Sequence, residues 1–239
     1  MRYLILAAGV GKRMGSALAG LPKCMSDIDG EPLIAPPLRP TRQFDAAPEI
    51  HVLLGYRSET IAPLLEGCRI ILNPFFDITG INASLWFARE SFDRALLFMH
   101  GDLVLSDELA QALFTAPEAS LVSYDSNVMD PREINIRAEG GRVTRFGVNF
   151  TGYSGAYAGA IKLSAQAARL FADTLDQRIR RGFNEPRTYY FFVMRRLIAH
   201  PDVTLAPFDF APYRWQEIDY AGDIAAARLC VGAEGSGDA

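Results

Sequence analysis

The chain is 239 residues long, 49% hydrophobic and 22% charged, with a formal net charge of -4 at pH 7. That length suits one α/β domain with a sizeable core and leaves little room for a second. The acidic balance excludes a protein that neutralises many nucleic-acid phosphates with a dense basic face, and no window approaches the roughly 20 apolar residues of a membrane span.

In chain order, the apolar run 3–7 reads as a first strand. It is not a signal peptide, because Gly9-Val10-Gly11-Lys12-Arg13 follows at once with no cleavage pattern. The stretch 32–40 is rich in proline, which argues against a regular helix there. Short apolar runs at 50–54, 69–72, 95–99 and 120–124 read as buried strands. Helical patterns at 58–65, 82–91 and 106–114 lie between them, with Ser58 and Ser106 as N-caps. The alternation predicts a three-layer α/β/α sheet of mainly parallel strands. Beyond residue 130 the rhythm changes to a small β elaboration. Segments 133–138 and 142–146 read as a hairpin around Glu139-Gly140-Gly141, followed by a small-residue strand over 154–161. Helices over 164–181 and 188–199, a strand near 203–207 and a closing helix over 220–229 complete the chain. Arg187, Arg195 and Arg196 read as solvated helix faces. The last eight residues, 232–239, lack a large apolar anchor and are expected to fray. Cys24, Cys68 and Cys230 are far apart, lack metal-ligand spacing and read as reduced thiols of a cytoplasmic protein.

The strongest chemical signal is Leu6-Ala7-Ala8-Gly9-Val10-Gly11-Lys12-Arg13-Met14, followed by Pro22-Lys23. Glycines directly after a strand let the backbone approach an anion, and unpaired N–H groups at the following turn favour phosphate. Lys12, Arg13 and Lys23 add positive charge around a polyphosphate. A Walker loop is excluded because Leu6 stands where its first glycine belongs, and Met14 spoils the dinucleotide fingerprint, which excludes an NAD-dependent oxidoreductase. Asp102, at the carboxyl end of the fourth predicted strand, and Asp219, late in the chain, form a candidate carboxylate pair for one Mg2+.

This motif resembles the signature of the nucleotidyltransferase superfamily that includes sugar-phosphate, molybdopterin and cytidylyl transferases. Gly55-Tyr56, Asn73, Ser84-Leu85, Gly101-Asp102 and Glu217-Ile218-Asp219 follow in an order similar to the phosphocholine and 2-aminoethylphosphonate cytidylyltransferases. The resemblance implies a Rossmann-like nucleotidyltransferase domain over residues 1–231, with a nucleotide-binding half at 1–125 and an acceptor-binding half at 126–231. It implies nucleotide contacts from Leu6, Ala7, Ala8, Gly9, Gly11, Lys12, Arg13, Gly55, Asn73, Ser84 and Gly101. Catalytic charge stabilisation falls to Lys23 and Arg13, and Mg2+ to Asp102 and Asp219. The substrates implied are CTP and a small phosphate or phosphonate, and a homodimer is compatible with the family.

Relatives carry a paired asparagine and an aromatic before the serine, where this chain has Gly80-Ile81-Asn82-Ala83-Ser84, so the acceptor stays open. Ser84, with Asn82, is the expected reader of the pyrimidine edge. Tyr124, Asp130, Glu133, Tyr189, Tyr190 and Trp215 are candidate acceptor contacts, since aromatic faces beside a carboxylate suit an ammonium group. The same aromatics also fit plain core packing. His100, beside Asp102, is a candidate phosphate contact or base. Two other readings remain at this point: a sugar-1-phosphate nucleotidyltransferase using UTP, dTTP or GTP, and a nucleotide-sensing domain without turnover.

Overall fold

The structure, a computed structural model, describes residues 1–18, 20–181 and 189–231. The first half of the chain forms β1 (Arg2–Ala7), β2 (Asp27–Ile28), β3 (Glu31–Pro32), α1 (Ala35–Phe44), β4 (Glu49–Leu54), α2 (Ser58–Ile61), β5 (Arg69–Leu72) and α3 (Ile81–Phe87). Next come β6 (Leu96–His100), β7 (Leu103–Leu105), α4 (Asp107–Thr115), β8 (Leu121–Asp125), β9 (Asn135–Glu139), β10 (Arg142–Gly147) and β11 (Gly155–Leu163). The last elements are α5 (Ala165–Arg180), α6 (Phe191–Ile198), β12 (Ala206–Asp209), β13 (Trp215–Glu217) and α7 (Asp223–Val231).

Nine strands make one sheet, whose core β5-β4-β1-β6 is parallel. Strand β11 runs antiparallel to β6 and carries β9, β10 and β8 beyond it. Strands β1, β4 and β6 are mainly apolar on both faces because helices cover both, and alternate residues point to opposite layers. Ile5, Val52 and Met99 pack toward Leu38 of α1 and Leu109 and Leu113 of α4. Leu4, Leu53 and Phe98 pack toward Leu85 of α3, Phe171 of α5 and Met194 of α6. This is the expected three-layer α/β/α architecture.

A third, smaller cluster joins Met14, Val104 and Ile218 with Ala227 of α7. These residues immediately follow the glycine-rich loop, lie two residues past Asp102 and separate Glu217 from Asp219. Burying them together draws three distant segments to one place.

Several expectations need correcting. A helix does form in the proline-rich stretch: Pro36 and Pro37 occupy the first turn of α1, where no intrahelical N–H bond is needed. Pro40 lies inside the helix and is buried with Leu38, so packing outweighs its lost hydrogen bond. Ser58 is not an N-cap. That place belongs to Arg57 at φ 47, and the α-helical part stops at Ile61, passing into a 3-10 turn that contains Pro63. Strand β6 is shifted one residue later than expected, which makes His100 its last residue. Strand β12 starts at Ala206. The start of the expected 188–199 helix, Arg187 and the 232–239 tail lie outside the described residues. Ser106 does cap its helix, accepting from the Leu109 N–H; Ser164, not expected as a cap, accepts from the Ala167 N–H, and Gly140 and Gly141 turn the β9–β10 hairpin.

Candidate active site

Parallel pairing aligns the carboxyl ends of the core strands, where open α/β sheets bind their ligands. Leu6 sits in register with Leu53 on one side and His100 on the other. Together these three floor a cleft of ≈ 320 Å³, whose walls include Ala8, Gly9, Ser84 and Asp102. A smaller recess of ≈ 50 Å³ shares Leu6, Gly9 and Asp102 and adds Ala7, Gly101 and Lys23. A side chain at Gly9 would meet no protein atom within 4 Å, so that backbone is bare toward the cleft.

Gly11 does a different job. Its φ is +73, and an added Cβ would lie 2.6 Å from the Lys23 Cβ. The loop thus packs directly on the stem of Lys23. Gly11→Ala combines left-handed strain of roughly 1–3 kcal/mol with that overlap. It is expected to lower the melting temperature by several degrees and reduce nucleotidyl transfer; a wild-type melting curve together with a wild-type rate would show that the loop does not position Lys23.

The charged centre is assembled across long sequence distances. Strand β13 pairs antiparallel with β7, setting Glu217 opposite Leu103, and the Ile218 N–H donates to the Asp102 carbonyl at 3.0 Å. Lys23 Nζ then bridges two carboxylates, 2.6 Å from Asp102 Oδ2 and 2.9 Å from Asp219 Oδ1. The exposed Arg13 guanidinium reaches Asp219 Oδ2 at 2.5 Å. Asp219 does not cap the closing helix: Asp223 accepts from the Asp219 and Tyr220 N–H groups, which leaves the Asp219 carboxylate free for Lys23 and Arg13. Lys12 is exposed.

Burial opposes the charge on Lys23, but Asp102 and Asp219 outweigh it and raise the lysine pKa. The two carboxylates then diverge. Burial raises the Asp102 pKa and Glu217 pushes it higher, against Lys23 and His100. Burial would raise Asp219 too, but Lys23 and Arg13 bring it below the usual range. His100 is tied at both nitrogens, with Nδ1 3.3 Å from Glu217 Oε1 and Nε2 2.8 Å from the Tyr189 hydroxyl.

Oxygen donors suit a hard divalent cation, and one feature fits such an ion directly. Asp102 Oδ1 is buried and has no hydrogen-bond partner among the described residues. A buried carboxylate oxygen left unpaired is costly unless a ligand satisfies it.

The remaining expected residues divide. Asn73 is 1% exposed and does not line the cleft; its amide holds Ser84 at 2.8 Å and Thr79 at 3.1 Å, so it reaches the cleft only through them. Gly55 lets β4 approach the first loop, since a Cβ there would come 2.6 Å from the Ala8 carbonyl oxygen. Tyr190 is fully buried, its hydroxyl donating to Tyr157, and belongs to the core. Trp215 donates to Asp125 and packs on the core, while Tyr124 pairs in register with Tyr157. Asp130 and Glu133 lie in the β8–β9 loop, where hydrogen bonds from Arg132 hold the Asp130 carboxyl down to about 2. Of the proposed acceptor contacts, Tyr189 hydrogen-bonds a residue lining the cleft, His100. Phe76, Thr79 and Ile81 line the cleft without having been singled out. Their position just past the end of β5 was the available signal.

Similarity to known proteins agrees with this geometry. A family model described as the MobA-like NTP transferase domain matches residues 3–139, more than half of the chain. The CMP-5'-(3-aminopropyl)phosphonate synthase of Streptomyces rubellomurinus is 25% identical over 238 residues, covering 93% of this chain and 37% of that protein. The bifunctional IPC transferase and DIPP synthase of Rubrobacter xylanophilus is 27% identical over 230 residues, covering 92% of this chain and 49% of that protein. The chain therefore spans less than half the length of either relative. The fold is shared with the CTP:phosphocholine cytidylyltransferase of Streptococcus pneumoniae at a TM-score of 0.77 and 18% identity, with 95% of this chain and 97% of that one covered. The glycine-rich strand end, the charged centre beside it and the family match lead to one conclusion: this chain belongs to the family of MobA-like NTP transferase domains.

Proposed function

We propose that this chain transfers CMP from CTP to a small phosphate or phosphonate, of the phosphocholine or aminoethylphosphonate kind, and releases pyrophosphate. The observation that carries the proposal is Lys23 held between Asp102 and Asp219 at the mouth of a bare glycine backbone. A phosphate or phosphonate oxygen of the acceptor forms a bond to the α-phosphorus of CTP as the bond to the bridging oxygen of the leaving pyrophosphate breaks. Such transfer depends on positioning and charge neutralisation and needs no protein nucleophile. In this reading Ala7, Ala8 and Gly9 line the base and sugar, and Gly11, Lys12 and Arg13 wrap the β- and γ-phosphates. Lys23 leaves its carboxylate partners for the α-phosphate, and Ser84 reads the pyrimidine edge. Asp102 and Asp219 would hold Mg2+, which when bound neutralises phosphate charge. Residues 1–125 serve the nucleotide and 126–231 the acceptor.

Support for CTP and for phosphonate or phosphate acceptors comes from the names of the similar proteins. The test is pyrophosphate release with Mg2+, crossing CTP, UTP, GTP, ATP and dTTP against phosphocholine, 2-aminoethylphosphonate, other small phosphonates and sugar 1-phosphates. Turnover with CTP and a small phosphate or phosphonate is expected. Turnover confined to a sugar 1-phosphate with UTP, dTTP or GTP would replace this reading with the sugar-nucleotide one, and nucleotide binding with no turnover across the panel would favour a sensor.

A further inference from the structure

Asp102 uses its two oxygens unequally. Oδ2 accepts from Lys23, while Oδ1 is buried and unpaired among the described residues. His100, Asp102 and Glu217 each offer a ligand atom, all within 4.8 Å of one another. Gly159 lies beside this group at φ +82, and a Cβ there would come 3.3 Å from His100 Nδ1. The same Cβ would lie 2.9 Å from Leu103 Cδ1, so glycine is what lets β11 lie this close to the histidine.

The ring is also oriented. Nε2 hydrogen-bonds the Tyr189 hydroxyl at 2.8 Å, and Nδ1 faces Glu217 Oε1 at 3.3 Å, where a cation would take the place of the Nδ1 proton. That arrangement, a second partner fixing the tautomer of a ligating imidazole, is the usual support of a metal-bound histidine. A simple His100–Glu217 hydrogen bond would satisfy those two groups and still leave Asp102 Oδ1 unpaired. A cation among all three would satisfy every one of them, and Lys23 could keep its place on Oδ2.

We propose that His100 Nδ1, Asp102 and Glu217 form a mixed nitrogen–oxygen site for a borderline divalent cation such as Mn2+, Co2+ or Zn2+, with Tyr189 as its positioning residue. An imidazole donor shifts preference away from Mg2+, which favours all-oxygen surroundings, and toward these ions. The site goes beyond the Asp102–Asp219 pair of the transfer reading. It rests on that reading only for its use in catalysis, because the three donors are brought together by the fold itself.

The test uses the intact chain and Mn2+ alone, without nucleotide. Pulsed electron paramagnetic resonance should detect a nitrogen nucleus coupled to the bound Mn2+. His100→Asn should abolish that coupling and weaken Mn2+ binding by at least about tenfold, since even loss of an orienting partner costs that much at such sites. Tyr189→Phe should retain the coupling but weaken binding less. Bound Mn2+ without nitrogen coupling in the wild-type protein, or unchanged affinity in a His100→Asn variant with a wild-type melting curve, would overturn the site. Turnover of CTP with Mg2+ but no nitrogen coupling would remove this site and leave the transfer reading standing. Nitrogen coupling without turnover across the substrate panel would do the reverse.

Discussion

Lys23→Ala is expected to slow nucleotidyl transfer by about 10²–10³-fold, the cost of losing one preorganised donor to a developing oxyanion. The same variant should bind Mn2+ more tightly than wild type when no nucleotide is present. Both effects come from one position. The Lys23 side chain is 13% exposed, and its ammonium neutralises Asp102 and Asp219, the carboxylates that would otherwise attract a cation. Removing it takes away the charge offered to the α-phosphate and also the internal competitor for the carboxylates. Steady-state pyrophosphate release and calorimetric Mn2+ titration read the two effects separately. A loss in rate below tenfold would end the catalytic role of Lys23. Unchanged Mn2+ affinity would mean that Lys23 does not compete with a cation for these carboxylates.

The second large effect is expected at Asp102. Asp102→Asn keeps the volume and one oxygen but removes the charge shared by Lys23 and a bound cation. If the cation supplies several kcal/mol of charge stabilisation, then at about 1.36 kcal/mol per decade the rate falls on the order of 10³-fold. The unliganded melting temperature should not drop with it. Asp102 is held near Glu217 against burial, which already disfavours its charge, and Lys23 keeps Asp219 as a partner. Wild-type protein should gain thermal stability on addition of metal and CTP, by mass action, and the variant should lose most of that gain. A variant with a rate within tenfold of wild type, or with an undiminished gain in melting temperature, would place the metal elsewhere.

Much of the fold was legible because its causes are local. Apolar runs with strand periodicity marked β1, β4 and β5, and glycines suited to positive φ marked the β9–β10 turn. A serine before an apolar helical pattern marked the cap of α4. The same locality explains the errors. In α1 the proline signal was outweighed by burial against the core, and at Ser58 the chain entered the helix through a left-handed Arg57, which no residue type announces.

The glycine-rich loop, Lys23 and Asp102 were readable as chemistry from residue types at fixed spacing after a strand, and by themselves they pointed to an anionic ligand of the polyphosphate kind. What only the tertiary structure decided is which distant groups meet them. Asp219 was paired with Asp102 from the sequence, but Glu217 joins them because β13 pairs with β7 and because Met14, Val104 and Ile218 share one apolar cluster. Tyr189 reaches His100 from the far half of the chain, whereas Tyr190, its neighbour, turns into the core. Side-chain periodicity and turn chemistry act over a few residues and leave a pattern in the sequence. Convergence across more than a hundred residues is set by how apolar surfaces pack, and packing leaves no such pattern until the chain has folded.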